Sequence, residues 1–328
     1  MTKISICIPV YNMGHCIERT IQSALRQDYP DFEVILADNQ SSDGTYEKAS
    51  AISDPRLIVL RNPRNLGPYG NHQRCLEVAK GEWVKYLHGD DELLPNCLSE
   101  MMEAAQNCPA DTALVSCGAI KVDGDNREIF RTYVPPALKA ARSAPAREFI
   151  WRGNIIGTPT MTLIHRERLL EAGGFDLSLE PACDGDCWVN LMARYPWAVV
   201  PAHLVVIRDD PPSLLRVRGS EVVRGLMYVV VMNDKWHRKD PASMNLPMSR
   251  TPFSVHLCHQ SFRFWDSAFF HILCGNPIVL KSLVRVLLDR KMLVRSLWFY
   301  IKKRLQWKNS HTLYGKRWDE DFVHLLIS

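Results

Sequence analysis

Several common signatures are missing from this 328-residue sequence, and each absence removes a class of protein. Ten cysteines are scattered without a C-x-x-C pair, and Cys183 and Cys187 have no histidines at zinc spacing, so neither a zinc module nor a redox pair is encoded. Reduced thiols in a cytoplasmic protein are the expectation. No G-x-G-x-x-G follows a strand-like run, which argues against dinucleotide-dependent oxidoreduction. No run approaches the roughly 18 apolar residues of a spanning helix, and Met1-Thr2-Lys3 leads straight into a strand-like ISICIPV instead of a signal peptide. Internal repeats and low-complexity tracts are also absent.

Hydrophobic residues make up 46% of the chain, enough to bury a core of domain size. The net charge of +4 is unevenly placed. Residues 276–328 carry 11 Lys/Arg against 4 Asp/Glu, so the basic character belongs to the C-terminus.

From the N-terminus, short apolar runs alternate with helical patterns, the mark of a sheet with crossover helices. Strands are expected at 4–10, 32–38, 57–60, 83–87 and 113–117, with helices at 14–27, after the polar turn 39–44, at 71–80 and from about 95. Gly81 reads as the stop of the third helix. Residues 121–150 read as a surface excursion. A strand at 160–164, a helix at 184–194 and a strand at 198–207 close the domain near 215.

In an open α/β sheet, ligands bind beyond the carboxyl ends of the strands. Three such ends are distinctive: Pro9-Val10-Tyr11-Asn12, Asp38, and Asp90-Asp91. A parallel sheet brings all three to one edge. An Asp-Asp pair in a turn is usually solvated loop chemistry. Directly after a buried-looking strand, it suits a hard divalent ion that also takes diphosphate oxygens.

SICIPVYNMGHCIERTIQSALRQDYPDFEVILADNQSSDGT resembles the opening of family 2 glycosyltransferases, and NPRNLGPYGNHQRCLEVAKGEWVKYLHGDDELLP resembles the segment with their acidic motif. GGFDLSLEPACDGDCWVNLMARYP is similar to the stretch bearing their catalytic carboxylate. The resemblance covers roughly residues 3–215.

It implies an α/β, GT-A fold, Rossmann-like, with a mostly parallel sheet flanked by helices. Residues 1–118 would form the nucleotide-sugar-binding half and 119–215 the acceptor-binding half, followed by a helical extension at 216–328. By the same resemblance, Pro9, Tyr11, Asn12 and Asp38 line the nucleotide site, Asp90 and Asp91 hold Mn2+ or Mg2+, and Asp184 is the catalytic base. Asp186 is the nearest competitor for that role, and Trp188 packs the helix. Gly67, Asn71 and Arg74 lie where a donor diphosphate or ribose could be contacted, although Arg74 reads better as a surface residue.

The chain departs from the family at His88-Gly89-Asp90-Asp91, where an Asp commonly stands first, and at Asn39, often Asp. Cys183 stands where Glu is common. Arg208-Asp209-Asp210 replaces an Arg-x-His whose His ligates metal, and Asp210 is the candidate substitute.

The implied activity is inverting transfer from a nucleotide diphosphate sugar, with a UDP-linked donor expected, to a hydroxyl of a glycan or lipid-linked glycan in polysaccharide or O-antigen assembly. A nucleotidyltransferase is disfavoured because the glycine-rich, Arg-containing loop after strand one is missing. A non-catalytic nucleotide-sugar-binding subunit is the alternative. Residues 276–308 read as basic amphipathic helices, suited either to an anionic membrane surface or to packing on the domain, which would place the protein peripherally on the inner face of a membrane. No nucleic-acid partner is expected.

Overall fold

The computed structural model describes residues 3–132, 156–177 and 183–208, all within one compact unit. The basic helices expected in the C-terminal region, and Asp210, lie outside the described residues.

β1 (Ile4–Val10) and β2 (Phe32–Asp38) are buried almost throughout, which is why each reads as a mostly apolar run; apart from the terminal Asp38, the polar exceptions Ser5 and Glu33 hydrogen-bond each other at 2.7 Å. β3 (Leu57–Arg61) pairs with β2, and β4 (Trp83–Tyr86) pairs with the other side of β1, all in parallel. The order β3-β2-β1-β4 reverses direction between β1 and β4, and that switch opens a crevice at their carboxyl ends. Val10 pairs with Asp38 and Cys7 with Tyr86, so the ends carrying Asn12, Asp38 and Asp90-Asp91 meet at one edge, as the alternating pattern implies.

Three helices cover this half. α1 (Ile17–Leu25) buries Ile17, Thr20, Ile21 and Ala24. It begins later than residue 14 because the N–H groups of residues 12–14 are taken by another loop. α2 (Thr45–Ser50) follows β2, and α3 (Pro68–Val78) follows β3. α3 starts three residues earlier than expected, since Pro68 supplies a preset first-turn φ and needs no N–H partner. Gly81 is not its stop: the chain is already extended at Ala79. Gly81 instead permits close approach, because a Cβ there would lie 2.5 Å from the Ser5 nitrogen.

Beyond β4 the sheet becomes mixed. A two-residue β5 (Glu92–Leu93) precedes α4 (Cys97–Gln106), and β6 (Leu114–Val122) runs five residues past the expected end before turning into β7 (Glu128–Arg131). A 3-10 turn (Pro159–Met161) leads into β8 (Thr162–His165), α5 (Arg166–Glu171), α6 (Cys183–Met192) and β9 (Trp197–Arg208). β8 lies antiparallel to both β4 and β6, β9 parallel to β6, and β5 antiparallel to β9. All-parallel pairing therefore belongs to the first half, and in the second half only β6 and β9 pair in parallel among the described residues. The short elements β5, β7 and α5 carry too few residues to show a period. Among the described residues no helix is long and apolar enough to cross a membrane.

Candidate functional site

The crevice is framed by two loops that fasten to each other. Asn12 N–H donates to Ser41 Oγ at 2.9 Å, Met13 N–H to Thr45 Oγ1 at 2.8 Å, and Gly14 N–H to Asp43 Oδ2 at 2.8 Å. Asn12 returns the link by accepting the Ser42 N–H at Oδ1, 3.0 Å away, and its φ of 55° is a left-handed conformation that Asn tolerates. The polar run Ser41-Ser42-Asp43-Gly44-Thr45 thus serves as a clasp for the loop after β1, leaving Tyr11 exposed at its rim.

Asp38 is fully buried at the end of β2. Its carboxylate accepts the Ser41 N–H at 3.2 and 3.3 Å and is paired with Arg61 Nε at 3.3 Å. Beside it, the Asn39 amide donates to Asn65 Oδ1 (2.9 Å) and Gly67 O (3.2 Å), and accepts from Asn62 Nδ2 (3.1 Å) and Leu66 N–H (2.8 Å). An Asp at this position could accept but not donate. The departure at Asn39 is therefore what fixes the Gly67 loop, a role that sequence reading missed.

Asn71 is buried beneath the same loops, with its amide donating to Val10 O and Ala37 O and accepting from Asn62 Nδ2. Its amide is committed to protein partners, so it supports the loops after β1 and β2 from below. Gly67 takes a φ of 76° and its carbonyl is held by Asn39, which places the start of α3 at the crevice. Arg74 is a surface residue paired with Glu77 at 3.3 Å, matching the preferred reading.

Asp91 is 3% exposed. Its Oδ2 accepts from Thr160 Oγ1 at 2.7 Å and its Oδ1 from the Arg208 N–H at 3.3 Å. Burial, then the neighbouring Asp90 charge, push its carboxyl well above the usual range. Beneath it, the buried Lys85 ammonium donates to Thr160 O. His88 does more than follow a strand: its Nδ1 lies 3.6 Å from Asp91 Oδ2, and burial lowers its pKa, keeping it neutral at pH 7.

Asp184 sits in the first turn of α6, one residue inside the helix and not at its cap. Its Oδ1 accepts the Gly185 N–H at 2.8 Å. Burial raises its carboxyl pKa to about 6, partly countered by hydrogen bonds from Gly185 N–H and the Tyr69 hydroxyl. Tyr69, on α3, was not singled out from the sequence, since one Tyr in a helix start carries no signal. Asp186 is buried and accepts from Asn190 Nδ2 at 2.9 Å, a bond within its own helix.

The left-handed Gly173 and Gly174 turn the chain after α5 and project Phe175 inward. Phe175 lies 5.8 Å from Tyr69, 5.7 Å from His72, 5.6 Å from Tyr86 and 6.3 Å from Trp188, ring centre to ring centre. Trp188 is fully buried and donates to Gly157 O at 3.2 Å, locking α6. His72 stacks 5.5 Å from both Tyr69 and His88. Continuous ring contacts thus join Asp184, through Tyr69, His72 and His88, to Asp91.

Among the described residues, no three His, Cys, Asp or Glu side chains converge as a ready-made metal cluster.

The model of glycosyl transferase family 2 matches residues 5–171, spanning Pro9 through the acidic motif but ending before Asp184. An uncharacterized protein of Mycobacterium tuberculosis is 34% identical over 215 residues, covering 62% of this chain and 66% of that protein. A GalNAc(5)-diNAcBac-PP-undecaprenol beta-1,3-glucosyltransferase of Campylobacter jejuni is 37% identical over 108 residues, covering 32% of this chain and 35% of that protein. The chain therefore spans less than two thirds of the length of either relative. The crystal structure of S. aureus TarS 1-349 in complex with UDP-GlcNAc has a TM-score of 0.57 at 16% identity, covering 79% of this chain and 80% of that one, a likeness of fold. With a GT-A type sheet, acidic residues gathered at its switch point, and a family match over half its length, the chain belongs to glycosyl transferase family 2.

Proposed function

We propose that this chain is a metal-dependent, inverting glycosyltransferase that moves a sugar from a UDP-linked donor to a hydroxyl of a glycan or lipid-linked glycan. The observation that carries the reading is Asp184: a helix-borne carboxylate with a pKa of about 6, tied through Tyr69 to the donor half. A base poised near neutrality accepts a proton efficiently yet is ionised at pH 7.

In this reading Asp184 takes the acceptor hydroxyl proton as that oxygen bonds to the anomeric carbon. The bond from that carbon to the diphosphate breaks on the opposite face, and one in-line displacement inverts the configuration. Asp90 and Asp91 would hold Mn2+ or Mg2+, which supplies Lewis-acid stabilisation of the leaving diphosphate. The fit rests on Asp91, whose buried carboxylate beside Asp90 is a concentration of negative charge that a cation relieves. Asp210 is a further candidate ligand, two residues past an Arg208 amide that already touches Asp91. The clasped loops at Pro9, Tyr11 and Asn12, with Asp38 and Gly67, would receive the nucleotide.

A lipid-linked acceptor in polysaccharide or O-antigen assembly is supported by the undecaprenol-linked chemistry in the name of the Campylobacter jejuni relative. Contact of residues 276–308 with an anionic membrane would suit such an acceptor and a peripheral, cytoplasmic-face location.

The test is a screen of nucleotide sugars with and without Mn2+, following nucleotide diphosphate release. Turnover should require the metal, and Asp184→Ala should cut it on the order of 1,000-fold while still binding donor. Asp91→Ala should abolish the metal response. Donor binding with no release in the unaltered chain would favour a non-catalytic subunit.

A further inference from the structure

The loop after β4 sets an imidazole beside the acidic pair. His88 Nδ1 lies 3.6 Å from Asp91 Oδ2, too long for a hydrogen bond. The spacing is instead close to that of two donor atoms sharing one ion. In an octahedral shell with bonds of about 2.1 Å, neighbouring donors stand about 3 Å apart. A side-chain shift of roughly 0.6 Å closes the difference.

The backbone that presents this pair is fixed from several sides. The His88 N–H donates to Thr160 Oγ1 at 3.2 Å, and the Asp91 N–H donates to the His88 carbonyl at 3.1 Å. On α1, the buried Thr20 hydroxyl reaches the Gly89 carbonyl at 2.9 Å and the Asp91 carbonyl at 3.0 Å, and Cys16 Sγ approaches Gly89 O at 3.3 Å. A Cβ at Gly89 would meet Val10 Cγ1 at 2.8 Å, so the turn is packed against the end of β1. The imidazole is oriented as well. The His72 ring stands 5.5 Å away at 78° to it, and His72 Nδ1 is itself tied to the Pro68 carbonyl at 2.9 Å. With its side chain 31% exposed against 4% for Asp91, His88 is the more accessible of the two.

We propose that His88 is a ligand of the divalent metal, its Nδ1 and Asp91 Oδ2 holding one ion together while diphosphate and water oxygens complete the shell. This rests on Asp91 being a metal carboxylate. Asp91 Oδ2 receives the Thr160 hydroxyl, and a carboxylate oxygen keeps a second lone pair for an ion. A mixed nitrogen and oxygen donor set has a chemical consequence. Imidazole favours transition-metal ions, whereas Mg2+ takes oxygen donors, so His88 tilts the site toward Mn2+ over Mg2+.

The experiment uses the full chain, with its histidines labelled with 15N, loaded with Mn2+ and UDP. Pulsed electron paramagnetic resonance reads nitrogen bonded directly to the ion. The unaltered chain should show a 15N coupling. It should vanish in His88→Phe, which keeps a ring against His72, and in His88→Asp, which substitutes an oxygen donor. Mn2+ affinity in the presence of UDP should fall on the order of 100-fold in His88→Phe, since even groups one step removed from a metal are worth about 10- to 100-fold. His88→Asp should still bind a divalent ion, with its preference for Mn2+ over Mg2+ lowered about tenfold.

Mn2+ bound without a 15N coupling overturns the ligand role of His88, and so does a coupling that survives in either folded variant. In both cases the metal reading stands if Asp91→Ala abolishes Mn2+ binding. An unchanged preference between the two ions in His88→Asp also overturns the role. Failure of the unaltered chain to bind Mn2+ with UDP overturns the metal reading and His88 with it.

Discussion

Thr160 Oγ1 donates to Asp91 Oδ2 at 2.7 Å, a bond from the turn before β8 to the acidic loop after β4. The same hydroxyl oxygen accepts the His88 N–H at 3.2 Å, and the Thr160 carbonyl takes the Lys85 ammonium. One threonine thereby sets the direction of the proposed metal carboxylate and the path of its loop.

Replacing Thr160 with Val keeps the shape and the backbone carbonyl that holds Lys85 but deletes the two hydroxyl bonds, to Asp91 Oδ2 and from His88 N–H. Support of this kind around a ligand is worth about 10- to 100-fold in affinity. Thr160→Val is expected to weaken Mn2+ binding in the presence of donor about tenfold, measured by calorimetric titration. Unchanged affinity would remove the orienting role.

The pH profile follows from Asp184, whose pKa is raised to about 6 by burial. Because the base must be unprotonated, kcat/KM should fall about tenfold per pH unit below 6 and level off above it. Stability has the opposite sign. The unfolded chain releases this proton near the ordinary 3.8 while the folded one retains it, so Asp184 increasingly costs stability as pH rises from about 4 to 6. Asp184→Asn should accordingly gain stability relative to the parent over that window, seen as a rising difference in urea midpoint. A flat difference would contradict the raised pKa.

Asn39→Asp exchanges two donated hydrogen bonds for a carboxylate facing Asn65 Oδ1 and Gly67 O. A buried unmatched group of this kind costs about 2 kcal/mol. The expected outcome is that loss in urea unfolding, together with a higher KM for donor as the Gly67 loop loosens. Native stability in the variant would show the network to be dispensable.

Gly81→Ala places a methyl 2.5 Å from the Ser5 nitrogen and 2.7 Å from the Ile4 carbonyl carbon, both backbone atoms that cannot turn aside. The cost should be about 3 kcal/mol, read as a lower thermal midpoint. A helix-stop role would give a much smaller effect, since α3 has already ended at Val78.

The amino-acid sequence by itself determined β1 and β2 to the residue, because strands buried on both faces are apolar along most of their length. It also placed Asp38, Asp90 and Asp91 at strand ends, from which the parallel register gathers them at one edge. The antiparallel return of β8, the Asn39 network and the Thr160–Asp91 bond were decided only by tertiary structure. The latter two join side chains far apart in the chain through a few directional hydrogen bonds. Such bonds depend on where the backbone brings their partners and impose no period on the residues between, whereas burial of a face repeats along an element and is therefore legible beforehand.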